Sequence, residues 1–413
     1  MEKTISKKSI FAAIITIGFF ICSDRLMKNL FIWSCSYRMQ TMSTILSIAA
    51  ALMIYILFMR RIAIYGAEMP TGVIIPFCII YACYFFSSFI NAESGVLSRC
   101  ADSFIFAMAP LMLIAMAGYD KDNFKKFISI IDWVYIVVAL VNILFIIWPG
   151  LYYVISEWRQ NYFIGYHTFL VFPLAVGVMF ALLDDYYNGN RIKLIVYMAL
   201  FIINQGLVKA GGGLIGACII LIYFIPFIRK IFEKTDLAVF IGIIIAVFIV
   251  LMWFMGPILN ISPIKHIIQD VLHKDLTLTG RLIIWPGVLE DVAKKPIFGY
   301  GISADGSIFY DTVYNTGWTK LDGVWLHAHN EFLQTLYEGG IVTLLAAIGM
   351  LLFTAKKLRP YNGGRMAGIC KMMIFTLLLM LQDDQMVYYP WYIMAFVCQM
   401  AAMCCRNEEM LSQ

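Results

Sequence analysis

Charge is scarce in this sequence. Of 413 residues, 14% are Asp, Glu, Lys or Arg, against roughly 25% in soluble globular domains. That shortage excludes a soluble enzyme and a disordered chain. Only 5 histidines are present. No C-x-x-C pair and no Cys/His cluster with zinc spacing occurs, so neither a metal site nor a cofactor is expected. The 10 cysteines make no disulfide scaffold. Cys22, Cys78, Cys83, Cys218, Cys370 and Cys398 lie inside apolar runs and read as small hydrophobes. The net charge of +5 is no nucleic-acid signal, because in a membrane protein Lys and Arg mostly set orientation. No small-residue cleavage site follows the first apolar run, which reads as a retained span. No internal repeat is evident, which argues against the duplicated architecture of many transporters.

What the chain has instead is apolar residues, 62% of the total, with a mean hydropathy of +0.81. Runs of roughly 20 apolar residues recur along most of it. The expected fold is therefore all-α, a polytopic membrane protein of about twelve transmembrane helices. The runs lie near 8–24, 41–59, 70–90, 102–118, 127–147, 167–183, 193–207, 211–228, 237–255, 336–355, 367–382 and 387–404. With the N-terminus inside, inner segments hold most of the basic residues, among them Lys7, Arg60, Lys125, Arg191, Arg229, Lys356 and Arg365. The short outer segments hold only Arg25, Lys28, Arg38, Arg99, Arg159 and Lys209. That bias follows the positive-inside rule.

One segment breaks the pattern. Residues 256–335 form the only long stretch outside the spans, and it lies on the outer face. The chain thus divides into spans one to nine (1–255), a large helical extracytoplasmic loop (256–335), and spans ten to twelve with a cytoplasmic tail (336–413). A loop this long in a compact protein is usually functional. Residues 264–274 alternate as an amphipathic helix. A second helix is expected from about Gly280-Arg281 to Lys294-Lys295, capped by Thr277 or Thr279 and stopped by Pro296. Pro286 predicts a kink or a late start in it. Gly299-Tyr300-Gly301 reads as a turn. The loop carries more acid than base and is no polybasic lipid-binding patch, so a cation that matters in it acts at one place.

His327 and His329 stand together just before the span that begins near Leu336. A helix start there would offer free backbone N–H groups to a phosphate, and a histidine can take a proton near neutral pH. Interfacial anchoring explains the pair equally well. His167, Asp383 and Asp384 sit at outer edges and are open to either reading. Outer-edge aromatics, among them Trp148, Tyr162 and Trp391, could stack on sugars or form a membrane belt.

Three motifs then follow in order: Gly280-Arg281-Leu282-Ile283-Ile284-Trp285, Pro296-Ile297-Phe298-Gly299-Tyr300-Gly301, and His329-Asn330-Glu331 through Gly339-Gly340. Their order, in one large outer loop between late spans, resembles the O-antigen ligase/polymerase family of bacterial envelope glycosyltransferases. The motif resemblance covers about 280–345. It implies an enzyme that transfers an undecaprenyl-pyrophosphate-linked glycan to an acceptor hydroxyl without a metal or nucleotide sugar. Its place would be the bacterial cytoplasmic (inner) membrane, with the site on the periplasmic or extracellular face. The family's histidine before Asn maps onto His329, as base or acceptor-positioning group, and its loop arginine maps onto Arg281, which would hold the pyrophosphate. Arg159, His327, Asn330 and His167 become substrate-binding candidates. Lys209 stands where members usually carry an arginine, and three glycines follow it. Lysine can bind phosphate but lacks the bidentate fork. The partners implied are the lipid-linked donor, a glycan acceptor, the bilayer and a chain-length regulator, with no nucleic acid.

The leading expectation is a polymerase of lipid-linked repeat units for O-antigen, capsule or exopolysaccharide. The alternative is a ligase that moves the finished glycan to a lipid A core. From another class comes a transporter without chemistry, which should line several spans with charge. Mid-span positions here look almost free of charge, which favours the enzyme.

Overall fold

The computed structural model describes residues 37–65, 70–91, 96–117, 121–148, 162–164, 170–208, 211–259, 261–266, 269, 276, 281–302, 328–380 and 390–411. Among these residues there are helices and turns and no strand. In chain order the helices are α1 (Tyr37–Tyr65), α2 (Thr71–Ile90), α3 (Leu97–Ala117), α4 (Lys121–Ile147), α5 (Val171–Asn188), α6 (Arg191–Val208) and α7 (Gly211–Tyr223). They continue as α8 (Pro226–Lys234), α9 (Leu237–Leu259), α10 (Ser262–His266), α11 (Arg281–Lys294), α12 (Glu331–Leu358), α13 (Arg365–Met380) and α14 (Pro390–Leu411). Apolar runs adopt this form because lipid offers no partner for a backbone N–H or C=O, and a helix satisfies its own.

Each expected span from the second to the twelfth falls on a helix. The first, 8–24, lies outside the described residues. By length and composition, 5 described helices can cross a membrane, namely α2, α3, α4, α6 and α12, or up to 6 with the bent α7–α8 pair. Among the described residues the all-helical membrane fold therefore holds, with five or six spans by that measure, which does not confirm the count of twelve. The straight span expected over 211–228 is corrected: the chain bends by 95° after Tyr223. Pro226 is the cause, since it has no N–H to donate and its ring forbids a continued helix, and Ile225 before it is extended (ψ 123°).

One apolar core joins the bundle helices, with α2 lying along α12 and α4, α5 and α6 packed together. Side-chain amides tie the spans where no aqueous driving force helps. Asn142 donates to Asn204 Oδ1 (2.7 Å), linking α4 to α6, and Gln399 donates to Thr354 Oγ1 (2.9 Å), linking α14 to α12. Large apolar side chains such as Ile56, Phe89, Leu144, Ile195 and Leu345 face outward, a surface suited to lipid. Of the cysteines read as small hydrophobes, Cys83, Cys370 and Cys398 are buried, whereas Cys78 and Cys218 face outward; Cys22 lies outside the described residues.

A few charged side chains are nonetheless buried within the helices. Asp132, Asp184 and Lys371 are fully buried. Lys193 Nζ reaches Asp184 (2.5 Å) and Asp132 (3.5 Å), and Lys371 Nζ donates to the carbonyls of Glu233 (2.8 Å) and Thr235 (2.9 Å). Buried charges persist where partners offset desolvation. Isolated in the sequence, these residues gave no sign of their partners.

The 28 residues of α12 span about 40 Å, so its ends lie far apart. Beyond its C-terminal end, Arg359 pairs with Asp236 (2.6 Å). Arg365 pairs with Asp185, which also takes Arg191 at 3.1 Å. These cations belong to the set that the charge bias places inside. The candidate site lies at the opposite end of α12.

Candidate active site

The site is built from α11, the turn after it and the start of α12. Arg281 opens α11, which runs to Lys294 as the sequence predicts, with Pro286 inside it rather than before it. Its inward residues Ile284, Trp285, Val288 and Val292 form a small second core with Tyr300, Ala328, Leu333 and Tyr337. Helix α11 is thus packed onto the start of α12. Little of the amphipathic helix expected over 264–274 falls in the described residues; α10 covers Ser262–His266.

The turn after α11 docks into a break in α12. A continuous helix would give the carbonyls of Tyr337 and Glu338 to the N–H groups four residues on. Gly340 interrupts it with φ 69° and ψ −171°. The freed carbonyls instead accept from the Tyr300 and Gly301 N–H groups, both at 2.8 Å, and the Ile341 N–H donates to the Pro296 carbonyl (2.8 Å). Ser87 of α2 also donates to the Glu338 carbonyl (2.9 Å). Every backbone group freed by the break that these bonds involve has a partner, as burial demands. Gly299 (φ 65°) passes so close that a Cβ there would meet the Tyr337 carbonyl oxygen at 2.3 Å. The turn is fixed on its other sides as well. The Tyr300 ring stacks on Tyr337 with centroids 4.8 Å apart, and Asn91 Nδ2 donates to the Gly299 carbonyl (3.1 Å).

This docking bonds Trp285, one turn after Arg281 in α11, to the residue before His329. His329 has φ 47° and is the one non-glycine residue with positive φ among the described residues. Such a conformation costs free energy and persists only where its surroundings impose it. On one side of it, Asn330 caps α12, its side chain accepting from the Leu333 N–H (3.2 Å). On the other, the buried Ala328 is held through both its backbone groups: its carbonyl accepts from Trp285 Nε1 (2.9 Å) and its N–H donates to Gln334 Oε1 (3.0 Å). Burial and the nearby Arg281 guanidinium push the His329 imidazole down to about 4, so it is neutral at pH 7. A neutral ring can accept a proton, and Arg281 beside it keeps a permanent positive charge.

The free helix start expected for phosphate is altered. Asn330 already takes the Leu333 N–H, and the acidic Glu331 fills the first turn of α12. Asn330 is fully buried and serves as a cap. Replacing it by alanine is expected to lower stability by about 1 kcal/mol, whereas Asn330→Asp keeps the cap. Thermal unfolding in detergent separates the two.

His327, Arg159, His167, Lys209, Asp383 and Asp384 lie outside the described residues. Trp391 is buried against Tyr392 and is no sugar-stacking surface. Sequence reading passed over Gln334 and Glu338 as members of the site. Both are buried near the N-terminal end of α12, with Gln334 Nε2 donating to Glu338 Oε1 (2.8 Å). Polar residues four apart entering an apolar run were the signal that could have marked them.

No curated relative matches the chain. The family model described as O-antigen ligase matches residues 194–348, a stretch from α6 into α12 that contains Arg281, the docked turn and His329. That match supports a membrane protein of O-antigen ligase/polymerase type and bears out the chain's resemblance to the O-antigen ligase/polymerase family of glycosyltransferase-like enzymes.

Proposed function

We propose that this protein is an integral membrane glycosyltransferase that joins undecaprenyl-pyrophosphate-linked repeat units into polysaccharide. The observation that carries the reading is the docking of α11 onto the start of α12, which bonds Trp285, one turn after Arg281, to Ala328 beside His329, at the end of α12 opposite the basic rim. A pyrophosphate leaving group needs a fixed cation, and the arginine fork suits phosphate oxygens. In this scheme Arg281 holds the pyrophosphate, with Arg159 and Lys209 as further cation candidates. His329 accepts the proton of the acceptor hydroxyl. The hydroxyl oxygen then attacks the anomeric carbon as the bond to the pyrophosphate oxygen breaks, the electron pair leaves with the pyrophosphate, and configuration inverts. Arg281 supplies the charge stabilisation, so the scheme calls on no metal. His327, His167 and Asn330 are candidates for contacts to the glycans. The isoprenoid tail lies in the bilayer between spans.

With the basic rim facing the cytoplasm of a bacterial inner membrane, the site faces the periplasmic or extracellular side, where finished repeat units are available. A chain-length regulator is the partner such a polymerase would need. The test is an assay of the purified protein with lipid-linked repeat units, offered with and without a lipid A core acceptor. A polymerase gives a ladder of lipid-linked oligomers from donor alone. Product only when the core is present would assign a ligase. Donor crossing a vesicle membrane without a new glycosidic bond would assign a transporter.

A further inference from the structure

Nothing in the scheme above says what keeps His329 in a conformation that costs free energy. The contacts around Ala328 supply an answer. Its carbonyl, which sets the peptide leading into His329, accepts from the Trp285 indole N–H (2.9 Å). Its N–H donates to Gln334 Oε1 (3.0 Å). The Gln334 amide has only one orientation that serves, because its nitrogen must donate to Glu338 Oε1 (2.8 Å). Glu338 in turn offers its carbonyl to Gly301 N–H (2.8 Å) and Ser87 Oγ (2.9 Å) at the α12 break. Trp285 and Gln334 are both buried. One indole from α11 and one amide from α12 therefore grip the residue before His329, and both are anchored in the docked turn and its core.

We propose that Trp285 and Gln334 are positioning residues for His329: their grip on the two backbone polar groups of Ala328 holds His329 in its left-handed conformation and keeps its ring beside Arg281. Neither residue touches the reacting atoms in this account. The inference rests on the proposed chemistry for its consequence in turnover, but its structural half can be read without substrate.

The experiment uses the full chain in lipid nanodiscs with isotope-labelled histidine, the His329 signal being assigned by its loss in His329→Asn. Trp285→Phe keeps an aromatic ring in the core and removes the N–H donor. Gln334→Met keeps the volume and removes both hydrogen bonds. In either variant the His329 titration is expected to move from about 4 toward 6.5, as the ring leaves its buried place beside Arg281. Turnover with lipid-linked donor is expected to fall by about 10²-fold with the donor KM unchanged. Wild-type titration in both variants would overturn the proposal. So would loss of the folded protein in both, since the contacts would then serve the fold alone. Normal turnover of His329→Ala would defeat the catalytic reading while leaving the titration result to decide the positioning one.

Discussion

Replacing His329 by alanine is expected to abolish glycan extension while the protein still accumulates in the membrane. His329 belongs to neither hydrophobic core, so its loss leaves α11 and α12 docked. What disappears is a neutral base, typically worth about 10²–10⁴-fold in rate. Arg281→Ala is expected to lose a comparable amount, about 10²–10³-fold, because the departing pyrophosphate then loses the fixed charge of Arg281. The pH dependence carries the same message with a definite sign. An ordinary histidine takes up its proton near 6.5, whereas burial and Arg281 delay that step to about 4 here. Wild-type turnover that needs a neutral ring should therefore persist as the pH falls through 6.5 and fail only on approach to 4. In Arg281→Gln one of the two causes is gone, and the His329 titration should rise. Histidine-labelled nuclear magnetic resonance reads that change even if the variant is inactive. Radiolabelled glycan extension, with protein level followed by immunoblot, reads the alanine variants.

Gly340→Ala is expected to remove the folded site altogether. Residue 340 has φ 69°, where a side chain is strained by about 1–3 kcal/mol. A Cβ there would also lie 2.1 Å from the Ile297 carbonyl oxygen, and backbone on a docked turn cannot yield as a flexible side chain can. The cheapest relief is to undock the turn. That leaves the Tyr300 and Gly301 N–H groups without the carbonyls of Tyr337 and Glu338 and takes α11, with Arg281, away from His329. Limited proteolysis should then cut near residues 295–302 in Gly340→Ala and spare the wild type. Gly349 sits further along the same helix with open space where its Cβ would be. Gly349→Ala is accordingly expected to fold and resist protease as the wild type does.

The helices were legible because lipid imposes one rule on every backbone group, and long apolar runs obey it. The break at Tyr223 was readable in principle from Pro226, since the ring that forbids a straight helix is written in the chain. The ends of α11 followed from Arg281 and Pro296 for the same local reason. The break at Gly340 was not legible. Gly339-Gly340 inside an apolar run signals permissiveness, but whether a helix uses it depends on what packs there, and Gly-Tyr-Gly comes from some forty residues earlier in the chain.

Arg281 and His329 were named on their motifs, and the fold docks the helix that Arg281 opens against the start of α12. Their supports were missed because hydrogen-bonding partners such as Trp285 with Ala328, or Gln334 with Glu338, are set by three-dimensional packing. Asn330, expected to touch substrate, also caps a helix. An N-cap beside an acidic first turn was readable from Asn330-Glu331 itself, and the phosphate reading of that helix start overlooked it. Asp132, Asp184 and Lys193 show the same limit, as each gave no sign of its partners until the helices met.

The most direct measurement of the central claim is release of undecaprenyl pyrophosphate from a lipid-linked repeat-unit donor by the purified protein, compared among wild type, His329→Ala and Arg281→Ala. The account predicts release coupled to a new glycosidic bond in the wild type, and neither product in the two variants at equal protein and equal thermal stability. Wild-type release from both variants would contradict it.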